Sequence, residues 1–352
     1  MGLIIGNIPF RGGLVDAQAL ICDQMQQFTM ETVQLKDLRS DQIGIRTHYT
    51  GVSIGTEFAL IRGKISSGPY PLCTGYMGSG IVESVGSEID NFNVGDRVYF
   101  RGNADMRMMD GADVSCVSGA HCSYIVLNPN TTHGAAHLPA GASMETTSMF
   151  VMPAVALYGV DMANPRMGQT VIVHGTGLIG LGVVAACANR GCTVVAVDLS
   201  PKRLEIAQQM GADYLIYAED QDVETEVMKI VSGGADCVFE CTGLPEYIDL
   251  AIRLCRQFGS FVWQGHYGSK PIAMDFSSPH GRRLQMFFPC DDGWQPCRRA
   301  VIKNIAMRTL QWERCISHRI AWQDSPAIFD QINHGHNPDI IGVVIDWTKP
   351  VR

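Results

Sequence analysis

Residues 170–198 read TVIVHGTGLIGLGVVAACANRGCTVVAVD, and this stretch decides the fold. It opens on an apolar, β-branched run, Val171-Ile172-Val173, of the kind that forms a buried parallel strand. A glycine turn follows, Gly175-Thr176-Gly177-Leu178-Ile179-Gly180. Small and apolar residues then continue at helical spacing to Asn189, and Gly191 stands where a helix stop belongs. A second apolar run, Thr193 to Val197, ends on Asp198. The pattern predicts a strand, a tight turn, a helix and a second strand. Gly175 permits the turn, Gly177 lets a ligand's phosphates approach the backbone, and Gly180 lets the helix pack closely on the strand.

Such a unit is a dinucleotide site in outline. The phosphates would sit on the free N–H groups and positive dipole of the helix N-terminus. Asp198, 18 residues after Gly180, would accept hydrogen bonds from ribose hydroxyls and repel a 2′-phosphate, so NAD is favoured over NADP. A lone GxGxxG is weak. Here the strand before, the helix after and the acid beyond agree with it.

Outside this unit the bulk properties exclude several classes. The 352 residues suggest two domains, and 46% hydrophobic against 18% charged residues supports a sizeable core. A net charge of −8 with no basic run argues against nucleic acid or an anionic membrane as the main partner. No apolar run reaches the roughly 18–20 residues that span a bilayer, and no targeting pattern is expected. The 12 scattered cysteines include no CxxC pair. That usage fits a reduced, cytoplasmic compartment.

Read in order, the first part predicts strands at 19–22, 28–35 and 42–52, then a loop and short helix through Ile61. Strand, turn and strand follow across 71–100, a Gly-, Asp- and Met-rich surface loop at 101–120, and a strand at 121–127. This describes an all-β domain. Helical spacing begins near Thr146. After Asp198, Ser200-Pro201 reads as an N-cap with Pro at the first helical position. Strands and helices then alternate: a helix to Arg256, a strand at 260–265, another at 285–290 and a helix over 297–310. This rhythm predicts a parallel sheet. The tail predicts a strand at 317–322, a helix at 325–332 and a final strand at 340–347.

Several stretches together resemble the medium-chain dehydrogenase/reductase superfamily, which is alcohol dehydrogenase-like. They are GTE (55–57), GYMGSGIVESVG (75–86), VGDRV (94–98), HCSYIVL (121–127), VIVHGTGLIG, Arg203 in PKRL, ECTG (240–243) and the closing IGVVIDW. The resemblance spans residues 17–348. It implies an α/β protein: a GroES-like β domain (1–154, completed by 313–352) with a Rossmann doubly wound domain (155–312) inserted into it. It also implies an active-site cleft between the two. Carried over with it are an NAD site at Gly175, Thr176, Gly177, Leu178, Ile179, Gly180, Asp198, Arg203, Thr242, Gly243 and Gly265, and a homo-oligomer, dimer or tetramer.

One departure matters. Where zinc members place their catalytic ligands, this chain has Ser53 or Ile54, Tyr76 and Met152, and only Cys116 and Cys122 stand where a four-cysteine structural site would be. Zinc wants thiolate, imidazole or carboxylate in a tetrahedral set. No zinc is expected at either place, so the chain resembles a zinc-lacking branch. Without the metal's Lewis acidity, hydride transfer needs a side-chain acid or base. Tyr76 would donate to a carbonyl or accept an alcohol proton, or else fill the vacated metal space by packing. Thr56 matches the family's proton-relay hydroxyl, or is a loop hydroxyl bonded to backbone. Glu57 matches the acid of the family's GTD-like motif, which has a catalytic or a supporting structural role. His48 lies on a predicted strand, where a lone histidine is more often structural. His266 follows a strand at the sheet's carboxyl end and reads as a base or a loop residue. Arg62 and Lys64 would meet an anionic group or simply be exposed.

Three functions follow. The first is a zinc-independent, NAD-dependent enzyme acting on a small-molecule secondary alcohol or ketone, sugar- or cyclitol-like by analogy with the branch. The alternative is a zinc-independent enone or quinone reductase using NAD(P)H, against which Asp198 speaks. The third is a dinucleotide-binding protein without turnover.

Overall fold

The computed structural model describes residues 15–66, 68–103, 105–335 and 339–350. The chain divides into two units, one running to Leu138 and completed by residues 320–335 and 344–350, the other comprising Pro139–Arg319 and residues 339–343. The 154/155 division expected from sequence falls inside a helix, Val151–Ala163.

The first unit is mainly β. Up to Leu138 its strands are β1 (Val15–Cys22), β2 (Phe28–Leu35), β3 (Ile43–Val52), β4 (Leu72–Cys73), β5 (Gly78–Val85), β6 (Arg97–Phe100), β7 (Met106–Met108), β8 (Ser115–Cys116), β9 (Tyr124–Leu127) and β10 (Ala135–His137), with the helix α1 (Ile54–Ile61). β1 and β2 pair antiparallel in continuous register from Val15↔Leu35 to Cys22↔Phe28. β2 is largely half-exposed, as its alternating sequence predicts. The stretch 101–120 is not merely a surface loop. Met106 is buried, and β7 pairs with β2 while β8 pairs with β4, giving the sheet order β7-β2-β1-β4-β8. Those two strands span only three and two residues, too short to leave a periodic signal.

In the second unit come α2 (Met144–Thr147), α3 (Val151–Ala163), β11 (Thr170–His174), α4 (Leu178–Asn189), β12 (Thr193–Asp198), α5 (Pro201–Gln209), β13 (Tyr214–Tyr217) and α6 (Val223–Ile230). There follow β14 (Ala235–Glu240), α7 (Ile248–Arg253), β15 (Cys255–Trp263), α8 (Ser277–Arg282), β16 (Gln285–Phe287) and α9 (Trp294–Ala306). Six parallel strands run in the order β13-β12-β11-β14-β15-β16. Val171, Ile172 and Val173 have no exposure, which is why their run is unbroken by polar residues. Helix α4 is apolar nearly all round because it is buried nearly all round. Ser200 caps α5 through its hydroxyl, with Pro201 in the first turn, as expected. The helix expected to reach Arg256 stops at Arg253, and β15 starts at Cys255 rather than 260. β-branched residues are absent from 255–260, so propensity alone hid the strand's first half.

The chain then returns. β17 (His318–Ala321), α10 (Ser325–Asn333) and β18 (Val343–Asp346) close it, and β18 lies beside β3 in the order β10-β6-β5-β3-β18-β17, with β9 also on β3. Arg62 and Lys64 are exposed, the second of the two readings given for them, and Arg62 is also anchored. Its guanidinium donates to the carbonyls of Ile332 and Asn333 at the end of α10, where a cation suits the helix dipole. Among the described residues no helix is long and apolar enough to cross a membrane.

Candidate functional site

In the second unit, strand order reverses at β11, with β12 on one side and β14 on the other. Ligands bind beyond the strand ends at such a switch point. A cavity of about 250 Å³ lies there, lined by His174, Gly175, Gly177, Asp198, Arg203 and Thr242 among others. Gly175 has φ +91°, and a Cβ on it would come within 2.8 Å of the Thr242 methyl. A Cβ on Gly180 would stand 1.9 Å from the Gly175 carbonyl oxygen, whereas one on Gly177 would meet nothing within 4 Å. The turn is therefore closed where it packs and open where a ligand would approach. Gly177 caps α4 without a side-chain bond, so the first-turn N–H groups of Leu178 and Ile179 depend on a partner from outside the helix.

Asp198 ends β12. Its Oδ2 accepts from the Thr176 N–H (2.6 Å) and hydroxyl (2.9 Å), its Oδ1 accepts from the Ser200 N–H (2.9 Å), and the Arg203 guanidinium stands 4.0 Å away. Thr242 and Gly243 turn around the buried Glu240, whose Oε1 accepts from the Thr242 N–H (3.0 Å). A Cβ on Gly265 would meet the Gly243 nitrogen at 2.6 Å. Tyr267 also donates to Glu240, whose carboxyl is raised chiefly by burial. His174 went unassigned in the sequence, although it directly precedes Gly175. Its ring is buried, its Nδ1 has no hydrogen-bond partner, and it meets the Tyr247 ring edge-on at 5.3 Å. Burial pushes it down to about 4, so the imidazole is neutral near pH 7. His266 is exposed, and its Nδ1 accepts from the Gly268 N–H (3.2 Å).

The first unit gathers Ser53, Thr56, Glu57 and Tyr76. The Ser53 and Thr56 hydroxyls neighbour the Tyr76 phenol, and the Arg101 guanidinium lies 5.2 Å from the ring centre. Glu57, wholly buried, accepts from the Ser53 N–H at Oε1 (2.7 Å) and at Oε2 from the Thr74 hydroxyl and His121 Nε2 (both 2.9 Å). His121 Nδ1 in turn meets the Thr50 hydroxyl (2.9 Å), which accepts from the Trp347 indole (2.9 Å). Burial, partly offset by the two hydroxyls, pushes the Tyr76 phenol up to about 12. His48 does not join this group. It is half-buried, with Arg46, Glu83, Arg97 and Asp346 as its charged neighbours. His121, Thr50, Thr74, Arg101 and Trp347 were missed. His121 and Trp347 stand in family-like stretches and Thr50 and Thr74 beside Ser53 and Tyr76, but nothing in the sequence says which of them meets Glu57 or its partners across gaps of up to 297 residues.

This architecture, a GroES-like unit and a Rossmann-type α/β unit, defines a class. Residues 39–139 match the alcohol dehydrogenase GroES-like domain family, and residues 179–305 match the zinc-binding dehydrogenase family. The chain is 28% identical over 282 residues to the sorbitol dehydrogenase of Halalkalibacterium halodurans, covering 72% of this chain and 79% of that one. It is 25% identical over 345 residues to the D-xylulose reductase of Saccharomyces cerevisiae, covering 91% and 95%. A solved alcohol dehydrogenase zinc-binding domain protein from Burkholderia ambifaria superposes with a TM-score of 0.82 at 19% identity, over 95% of this chain and 99% of that one. The chain belongs to the alcohol dehydrogenase-like medium-chain dehydrogenase/reductase superfamily and is an oxidoreductase. The narrower expectation of a zinc-lacking branch finds no support in these relatives and rests on the chain's own residues.

Proposed function

We propose that the protein transfers hydride between NAD and a secondary alcohol or ketone carrying further hydroxyls, without zinc. The observation that carries the cofactor is the second unit's cavity. Gly177 leaves the backbone open, Gly175 makes the turn, and Asp198 offers carboxylate lone pairs where ribose hydroxyls would bind. Leu178, Ile179 and Gly180 present the helix N-terminus, with Arg203, Thr242, Gly243 and Gly265 around it. When bound, NAD supplies the hydride acceptor. The relatives' sorbitol and xylulose favour a polyhydroxy substrate.

The donors do not fit a catalytic zinc. Ser53 and Tyr76 offer hydroxyls, and both Glu57 oxygens and both His121 nitrogens are already bonded. Nor do Cys116 and Cys122 make a structural site, since they supply two of the four ligands that a tetrahedral zinc needs. In place of a metal, Tyr76 holds its proton through the neutral range, so in ketone reduction it would give that proton to the substrate oxygen as the carbon receives hydride from NADH. In the reverse direction the alcohol proton would pass to water while the Tyr76 O–H hydrogen-bonds the developing alkoxide, with Thr56 and Ser53 beside the phenol. The alternative, an enone or quinone reductase taking NADPH, draws on Arg203, whose Nε has no hydrogen-bond partner and whose guanidinium suits a phosphate. A homo-oligomer would use β16, the sheet's last strand, next to the exposed Phe288.

The test mixes metal-stripped protein and NAD with polyols, sugars, cyclitols and simple secondary alcohols and follows NADH. Turnover that survives chelation is expected. Turnover that appears only on adding zinc, together with stoichiometric zinc in protein purified without chelator, would overturn the metal-free reading.

A further inference from the structure

We propose that the buried Glu57–His121 pair is the positioning device for Tyr76, holding the phenol as a hydrogen-bond donor. This rests on the functional reading above, in which Tyr76 faces a substrate oxygen. The direction of every bond in the network follows from what each group can do. An indole N–H only donates, so the Thr50 oxygen accepts from Trp347. The Thr50 proton is then available to His121 Nδ1, 2.9 Å away. On its other side His121 faces a carboxylate oxygen at 2.9 Å with no exposure on either side chain. Two bare acceptors would repel at that distance, so Nε2 carries a proton in the neutral ring and in the imidazolium alike.

Glu57 consequently receives three donors, from Ser53, Thr74 and His121, the partners a buried carboxylate needs away from water. That anion does two things for Tyr76. Through the Ser53 N–H and the Thr74 hydroxyl it ties the start of α1, with Ser53 and Thr56 beside the phenol, to the segment that carries Tyr76. Its charge also opposes ionisation of the phenol, against the opposite pull of Arg101; these are the charged groups facing Tyr76, and Ser53 and Thr56 are the hydroxyls.

Glu57→Gln removes the charge and keeps the shape. Its amide group must then meet His121, so the ring is expected to switch its proton to Nδ1, with Thr50 accepting. The experiment titrates Tyr76 by ultraviolet difference spectra, each protein measured against its own Tyr76→Phe counterpart. Glu57→Gln should lower the ionisation midpoint by about one pH unit, a tenfold change in the equilibrium. Trp347→Phe, which loosens the network but leaves the anion, should move it by no more than a few tenths. An unmoved midpoint in folded Glu57→Gln, or an equal shift in Trp347→Phe, would overturn the inference. Nitrogen NMR of the wild-type histidines tests it without any variant: a neutral His121 with its proton on Nδ1 would also overturn it. No substrate enters these measurements. Silence across the alcohol panel with the shift intact counts against the functional reading, and turnover with a flat midpoint counts against the positioning role.

Discussion

The two polar regions of this protein are built in opposite ways. The cavity at β11 is assembled mainly from backbone: a turn at φ +91°, the bare N-terminus of α4 and one carboxylate at the end of the next strand. The Tyr76 cluster is assembled from side chains of five segments, with Glu57, His121 and Thr50 fully buried among them. A backbone site tolerates few substitutions and leaves a contiguous motif. A side-chain network leaves none, and its chemistry changes with single residues.

The contrast can be broken or sharpened by experiment. Tyr76→Phe should reduce turnover by about 10²–10³-fold, the cost of removing one donor from a developing oxyanion, while NADH binding holds. Undiminished turnover would make the ring a space-filler. Gly180→Ala tests the other region. Its Cβ would lie 1.9 Å from a backbone oxygen, so unfolding in urea should show a loss of about 3 kcal/mol and NADH binding should fall. Near-wild-type behaviour in both would show that the turn is not tightly built.

His174 gives a pH signature to the backbone site. Its folded value of about 4 lies below the ordinary 6.5, so the unfolded chain binds the extra proton between them. Stability is complete above about pH 6.5 and declines as pH falls toward 4, by up to about 3 kcal/mol. His174→Gln should lack that share of the decline when urea midpoints at pH 7 and pH 4.5 are compared; parallel curves would contradict it. The smallest expected effect is on selectivity. Asp198→Ala should relax discrimination against NADPH by about tenfold, near 1.4 kcal/mol, in paired titrations with NADH. An unchanged ratio would remove Asp198 from cofactor choice and move attention to Arg203.

Much of the second unit was legible because its rules are local. An unbroken Val-Ile-Val run means a strand buried on both faces, and the Ser200-Pro201 cap sits where the hydroxyl could accept from the Arg203 N–H. Legibility failed where elements were short or unpatterned, as in β7, β8 and the first half of β15. Within the candidate sites, Gly175 and Asp198 could be read from spacing, and Tyr76 from what it replaced. His48 was suggested by residue type alone, and the fold gives it charged neighbours from β3, β5, β6 and β18 instead of Glu57.

By itself the sequence determined the strand–turn–helix–strand unit, the acid beyond it and the unusual donors at the family's metal positions. The first two depend on residues close along the chain, where backbone sterics and periodicity act directly, and the third on the resemblance to the family. Only the tertiary structure decided that Glu57 pairs with His121, 64 residues away, and that Trp347, 297 residues beyond Thr50, completes the chain of bonds. Burial is what gives those bonds their force. Away from water each polar atom must find a partner, and which partner is available is a property of the fold.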